Sequence, residues 1–261
     1  MNASDWIALL SLPERALVNQ RVPKKLLIES GAATAGDRRL IQDGIEDLHW
    51  LAALKPETVG VPIFRDGVRE YLEIAVLSAT LRPDAKASRI GELVHRAVPY
   101  PVFLLLWAGE ACQISLSHKR WAQNEAGKMV LDGEAMAATF DSQSASGVAA
   151  QFIAALALSR QPRSTLYDLY QGWMDTVLAY LVAGKTGRFA PSTSPEQTAI
   201  RRQALRESLD LESKIMALRT QAEKEKQLGR RVEMNLELQR LQREVASLAE
   251  ALSSPGSGVA R

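Results

Sequence analysis

The stretch Ala85–Ser117, AKASRIGELVHRAVPYPVFLLLWAGEACQISLS, decides the fold. Alanine and leucine recur at helical spacing from Ala85 to Val98. Pro99 stops that helix, because proline has no amide hydrogen to donate and its ring fixes φ. Val102 to Trp107 then runs apolar over a strand length, and Cys112 to Ser117 alternates. Ala108-Gly109-Glu110 is a tight turn between the two. The spacing therefore predicts a helix followed by two strands.

Upstream, Arg38 to Leu54 sets Leu40, Ile41, Ile45, Leu48, Leu51 and Leu54 among charged residues, leaving Asp43, Glu46 and Asp47 to water. This predicts a helix of about four or five turns. Pro56 follows. The β-branched stretch Thr58 to Phe64, the turn pair Asp66-Gly67 and the segment Val68 to Leu81 predict a β-hairpin. The resulting order is helix, two strands, helix, two strands. It does not alternate one for one, so a parallel sheet is disfavoured and an α+β domain is expected, with helices on one face of a small, mainly antiparallel sheet. Lys128 to Phe140 adds a short strand or hairpin. Val148 to Leu158 and Leu166 to Val182 are apolar at helical spacing and predict a helical extension packed on or beside the sheet.

Gly184 to Pro195 is rich in Gly, Pro, Ser and Thr, the composition of a linker. Beyond it the chain turns to Leu, Glu, Gln, Arg, Lys and Ala, with no aromatic residue, which is long-helix composition. Leu211, Ile215, Leu218 and Ala222 form one seam, and Met234, Leu238, Leu241, Val245, Leu248 and Leu252 another. The first series extends to Glu225, Gly229 and Val232, two residues out of phase with the second, so the seam breaks near Gly229. Either the chain reverses around Gln227 to Arg231, or one helix continues and its stripe shifts. A helix-interior glycine costs only about 1 kcal/mol and no proline forces a turn, which favours the continuous helix. The domains are thus read as 1–145 (α+β sheet domain), 146–183 (helical extension), 184–195 (linker), 196–253 (coiled-coil helix or helical hairpin) and 254–261 (disordered tail). An open leucine seam at about 25 cal/mol per Å² of apolar surface predicts association.

The chain has 261 residues, 46% hydrophobic and 24% charged, which excludes wholesale disorder. Its 32 basic and 30 acidic residues leave a net charge of +2, so nucleic-acid contact must be local. One cysteine, Cys112, permits no internal disulfide, and three histidines, His49, His95 and His118, are a poor supply of zinc ligands. Met1 to Gln20 lacks a signal-peptide pattern, since Asp5, Pro13, Glu14 and Arg15 interrupt its apolar run. The apolar runs elsewhere are too short to cross a bilayer. A soluble, cytoplasmic protein is expected.

Asp66, Glu70 and Glu73 beside a strand have the residue types of the acidic half of a metal-dependent nuclease site, but Ile74 and Ala75 follow Glu73 where such a site needs a lysine. They read as solvated edge or turn carboxylates. Cys112 reads as a small buried side chain, because no activating base is near it in sequence. Gly184-Lys185-Thr186 carries the last letters of a phosphate loop, yet Ala179 stands where the first glycine is needed, so it reads as linker. Two basic clusters remain. Arg21, Lys24 and Lys25 form one, and His118, Lys119, Arg120 and Trp121 form the other, with the tryptophan able to stack a base. Lys224, Lys226, Arg230 and Arg231 alternate with Glu223, Glu225 and Glu233 and read as salt-bridged helix surface.

Several stretches together resemble the bacterial family catalogued as domain of unknown function four-three-nine-one. They are Val22-Pro23-Lys24-Lys25, Leu54-Lys55-Pro56-Glu57-Thr58-Val59, Glu70 to Leu81, and Ala97-Val98-Pro99-Tyr100-Pro101 leading into Val102-Phe103-Leu104-Leu105. Lys119 after the next strand belongs with them. So does the late motif Glu225-Lys226-Gln227-Leu228 through Val232-Glu233-Met234-Asn235-Leu236-Glu237-Leu238. The resemblance spans most of the chain. It implies encoding beside helicases and DNA methyltransferases in bacterial defence loci, and it carries over no catalytic residue. The expectation is a non-enzymatic accessory or adaptor subunit of an anti-phage, restriction-like system, without cofactor or metal. It would dock through its C-terminal helices to a helicase or methyltransferase, or to itself. The alternative is a DNA-binding or degenerate nuclease-like subunit.

Overall fold

The computed structural model describes residues 3–125, 127–141 and 147–253; the expected tail 254–261 lies outside them. In chain order the first elements are α1 (Ala3–Leu9), β1 (Leu17–Arg21), α2 (Lys24–Gly31), α3 (Ala35–Gly44), β2 (Ile45–Leu54) and α4 (Pro56–Val59). There follow β3 (Phe64–Arg65), β4 (Glu70–Tyr71), β5 (Ile74–Leu81), α5 (Ala87–Ala97), β6 (Val102–Ala108), β7 (Ala111–Leu116) and β8 (Lys119–Trp121). The last are β9 (Met129–Leu131), β10 (Met136–Asp141), α6 (Gly147–Ala155), α7 (Leu166–Thr186), α8 (Pro195–Lys224) and α9 (Leu228–Ser253). Two compact units result, Met1–Val177 and Leu178–Arg261.

The first unit is built on a six-stranded sheet of order β1-β2-β5-β6-β7-β10, in which only β5 and β6 run parallel. A parallel pair needs a crossover, and α5 supplies it, stopped at Pro99 as its sequence dictates. β6 and β7 form the expected hairpin, with Gly109 in the left-handed region at φ +62°. The sheet is thus mixed but mostly antiparallel. Small pairs β3–β4 and β8–β9 sit outside it.

Helices cover both faces, where the sequence suggested one. On the first face Leu27 of α2, Ile41 of α3 and Leu93 of α5 pack with Leu48, Leu77 and Leu104. On the second, Trp173 of α7 meets Phe103 with ring centroids 4.8 Å apart, and Phe152 of α6 meets Phe140 at 5.4 Å. Tyr170 fixes α7 further: its hydroxyl donates to Val102 O and accepts from Ser117 N, both at 2.8 Å. Phe103 and Leu104 point to opposite faces because side chains alternate along a strand, so β6 is apolar throughout.

The expected helix Arg38 to Leu54 is two elements. α3 ends at Gly44, where a Cβ would stand 2.7 Å from Ile90 Cδ1, and the chain then enters β2. Lys24 Nζ closes the end of α3 by donating to the carbonyls of Gln42, at 3.0 Å, and Ile45. β2 lies between β1 and β5 and has a register shift between Trp50 and Ala52. Leu48, Leu51 and Leu54 are therefore all buried while spaced by threes, which imitates a helix. His49 and Trp50 accordingly lie on a strand.

Thr58 does not begin a strand. Pro56 opens the single turn of α4, Thr58 Oγ1 accepts from Lys55 N at 2.8 Å, and Gly60 at φ +66° ends it. The hairpin expected here is the short β3–β4 pair, whose turn is held by Asp66 Oδ1 accepting from Val68 N at 2.7 Å and Arg69 N at 2.5 Å.

In the second unit α8 and α9 fold back on each other across Glu225–Gln227, so the continuous helix gives way to the hairpin. Ile215, Leu238 and Leu241 form its core, with Leu211, Leu218 and Val245 against them. Reversal buries both seams at once, whereas a continuous helix leaves both open; that gain outweighs a few water-exposed helix ends. Gly229 then falls in the first turn of α9. Gly184-Lys185-Thr186 is the last turn of α7 rather than linker, with Lys185 Nζ 2.5 Å from Glu212 Oε1. The loop before α8 is also tied, because Arg201 Nη1 donates to Ala190 O at 2.6 Å. Ser194 Oγ caps α8 by accepting from Gln197 N at 3.2 Å. No described helix is long and apolar enough to cross a membrane.

Candidate functional site

Most of the residues proposed to meet nucleic acid are engaged inside the first unit. Lys119 is 1% exposed, and its Nζ donates to His95 O at 2.5 Å and to Val98 O, closing the C-terminal end of α5. Burial draws its ammonium down to about 8. His118 lies 2.5 Å from the Tyr71 hydroxyl through Nδ1 and 2.9 Å from Gln171 Oε1 through Nε2. Burial keeps the Tyr71 phenol protonated, so Tyr71 donates to Nδ1 and Nε2–H donates to Gln171. Arg120 Nε is 3.7 Å from Oδ1 of Asp132, whose Oδ2 accepts from Arg69, and Trp121 is half-buried on β8. Lys24 closes α3. Arg21 and Lys25 stay exposed, with Asp47 at 2.6 Å and Glu29 at 3.5 Å respectively. These contacts tie Lys24, His118, Lys119 and Arg120 into the fold and leave Arg21 and Lys25 at the surface.

The three carboxylates also part company. Asp66 holds the β3–β4 turn and Glu70 pairs with Arg65. Glu73, expected at a wet edge, is 5% exposed; its Oε2 lies 3.1 Å from Lys55 Nζ, and its Oε1 is buried without a partner. The ladder explains the pairing, since Ala53 opposes Ala75 and Lys55 continues that row beside Glu73. The hydrogen bond that Lys55 donates to Glu73, with the charge of that carboxylate, raises the Lys55 ammonium above the usual lysine range. Nearby, Trp50, Tyr100 and Leu26 border an apolar cleft of about 390 Å³ floored by Leu27, Leu48, Ala75 and Leu77. Val22-Pro23 and Pro99-Tyr100, two of the motifs read from sequence, both line it.

Buried polar groups complete the unit. His95 Nε2 sits 2.9 Å from Ser115 Oγ, and its Nδ1 has no partner. Burial, and then the Lys119 charge, hold this imidazole neutral by pulling it down to about 3. Cys112 is buried as expected, and burial pushes its thiol up, away from nucleophilic use.

In the second unit Leu211, Ile215, Leu218, Ala222, Met234, Leu238, Leu241, Val245, Leu248 and Leu252 are all buried or half-buried within the chain. The two seams therefore pack against each other within the chain. What stays open is a second stripe: Leu228, Val232 and Leu236 are 67%, 50% and 60% exposed. At 100° per residue this stripe stands roughly 150° around α9 from the seam. Lys224, Lys226, Arg230 and Arg231 are exposed and, among the described residues, form no ion pair with the interleaved glutamates, contrary to the salt-bridged surface expected. The four-residue spacing of Leu228, Val232 and Leu236 was the available signal for this face, masked by the stronger inner seam.

A mixed α/β domain followed in the chain by a helical hairpin is thus the class of protein. Among the described residues no group of three or more His, Cys, Asp or Glu side chains is placed to hold a metal. The model of the family described as Domain of unknown function (DUF4391) matches residues 10–245, and the chain belongs to that family. No curated protein and no solved structure matches it.

Proposed function

We propose that this protein is a non-enzymatic accessory subunit that docks through the outer face of α9. The observation that carries the reading is the stripe Leu228, Val232 and Leu236, left to water after the inner seam has closed. The family resemblance suggests the setting, a bacterial anti-phage, restriction-like system, with a helicase or DNA methyltransferase as the docked component. A second copy of the chain is the other partner the stripe accommodates. The test is affinity purification of the tagged protein from its native host at moderate and high salt, beside Val232→Glu/Leu236→Glu. Salt-resistant co-purification of a helicase or methyltransferase, lost in the variant, is the expected result. Equal capture by both proteins removes the reading.

The alternative is a DNA-binding or degenerate nuclease-like subunit. The unpaired Lys224, Lys226, Arg230 and Arg231 favour it. Phosphate contact would weaken steeply with salt and ignore Val232.

A further inference from the structure

The cleft bordered by Trp50 and Tyr100 lies wholly in the first unit, and the sheet register lays out its walls. β5 separates β2 from β6, so those two strands run about 10 Å apart. On one side of β5, Trp50 opposes Leu77, and Ala75 follows on the same face. On the other side, Ala75 N donates to Pro101 O at 3.0 Å, which brings Tyr100 to the Glu73 end of β5. The low floor at Ala75 is thus flanked by an indole and a phenol. Trp50 is held in place, its Nε1 donating to Ala52 O at 2.8 Å. The space enclosed is about 390 Å³.

Two polar features adjoin it. Glu73 stands two residues before Ala75 on the same face, and its Oε1 is buried without a partner while Oε2 meets Lys55. At the rim Arg21 lines the cleft, and Lys25 directly precedes the lining Leu26. Their carboxylate partners, Asp47 and Glu29, leave these two side chains 72% and 82% exposed.

We propose that this cleft takes a single nucleotide, with the base between Trp50 and Tyr100, its N–H edge toward Glu73 and its phosphate at Arg21 and Lys25. An alkyl chain would cover the floor but leave Glu73 Oε1 without a donor. An inorganic anion would use the cations and ignore the rings. A nucleotide uses all three features. A free mononucleotide and an unpaired nucleotide of a strand share this chemistry, whereas a base in a duplex is paired and stacked out of reach. The site is separate from α9 and does not rest on docking there.

The test uses the full chain and isothermal titration calorimetry. The probes are the mononucleotides, their nucleosides, a short single strand, its duplex and decanoate. Saturable mononucleotide binding in preference to decanoate is expected. It should weaken at least tenfold in Trp50→Leu or Tyr100→Leu and severalfold in Glu73→Gln, with circular dichroism showing each variant folded. Arg21→Ala/Lys25→Ala should lower the nucleotide to the affinity of its nucleoside. Because both of those side chains are already in water, that comparison decides alone if a ring variant unfolds. A single strand that binds more tightly than the mononucleotide identifies an unpaired strand as the source, and one that binds no more tightly identifies the free nucleotide. Absence of saturable nucleotide binding, indifference to the folded ring variants, an unchanged gap between nucleotide and nucleoside in Arg21→Ala/Lys25→Ala, or preference for decanoate or duplex overturns the proposal.

Discussion

Lys119 Nζ donates to the carbonyl of His95 across 2.5 Å, joining β8 to the C-terminal end of α5. A buried ammonium is costly alone, but here it meets carbonyls that have no partner within the helix and stands at the negative end of the helix dipole. Replacing Lys119 with Met leaves the His95 and Val98 carbonyls unpaired in the interior. A loss of about 2–4 kcal/mol is expected, read as a lower urea midpoint at unchanged slope. A Lys119→Met protein as stable as wild type would refute the capping role.

The neighbouring His95 makes the fold sensitive to mild acid. Its folded value is about 3 against 6.5 in the unfolded chain, so below pH 6.5 the unfolded state takes up the proton and the folded state does not. Stability from this group is complete above about pH 6.5 and drains away as pH falls toward 3, at about 1.4 kcal/mol per unit. Urea midpoints between pH 7 and 5 should fall in wild type. They should fall less in His95→Gln, which keeps a polar group toward Ser115.

Leu241 and Leu236 lie on the same helix but should respond in opposite ways. Leu241→Glu places a charge among Ile215, Leu238 and Leu218 and is expected to open the hairpin, with lost helicity and rapid proteolysis after residue 195. Leu236→Glu should leave helicity unchanged, because its side chain is already in water. Equal sensitivity of the two positions would mean that the hairpin pairs on a different face.

Two glycines should separate in the same manner. Gly44→Ala forces a methyl to 2.7 Å from Ile90 Cδ1 and is expected to cost about 1–3 kcal/mol. Gly229 has nothing within 4 Å of a built Cβ, so Gly229→Ala should stabilise the hairpin by up to about 1 kcal/mol. Thermal melting of both variants checks the pair.

Where the sequence carried one clean period, it was legible. α5 shows a single apolar stripe ended by proline, β6 and β7 flank an obvious turn, and α8 and α9 announce themselves by composition. β2 was not legible, because both its faces are covered and the slip near Trp50 turns alternation into a spacing of three. Lys119 was misread for a different reason: between His118 and Arg120 a lysine looks wet, and only the tertiary approach of a helix end supplies the carbonyls that bury it. Glu73 is similar, since its partner Lys55 is 18 residues away and becomes adjacent only through the β2–β5 register. At the C-terminal end the two-residue phase slip between the seams was the true signal of reversal, and weighing it against the cost of one glycine led the wrong way.

The short turn Glu225–Gln227 also fixes when each part of the chain acquires its shape. Contacts between α8 and α9 close a small loop, so their entropy of closure is low and helix pairing is fast once both arms are available. The sheet unit instead depends on distant partners: Tyr170 must find Val102, 68 residues earlier, and β10 must find β7 before the second face is sealed. During synthesis the hairpin emerges after the sheet unit and yet completes quickly, while the sheet, begun earlier, matures slowly. The face presented by α9 is thus available soon after its own residues have emerged, before the older part of the molecule has finished folding.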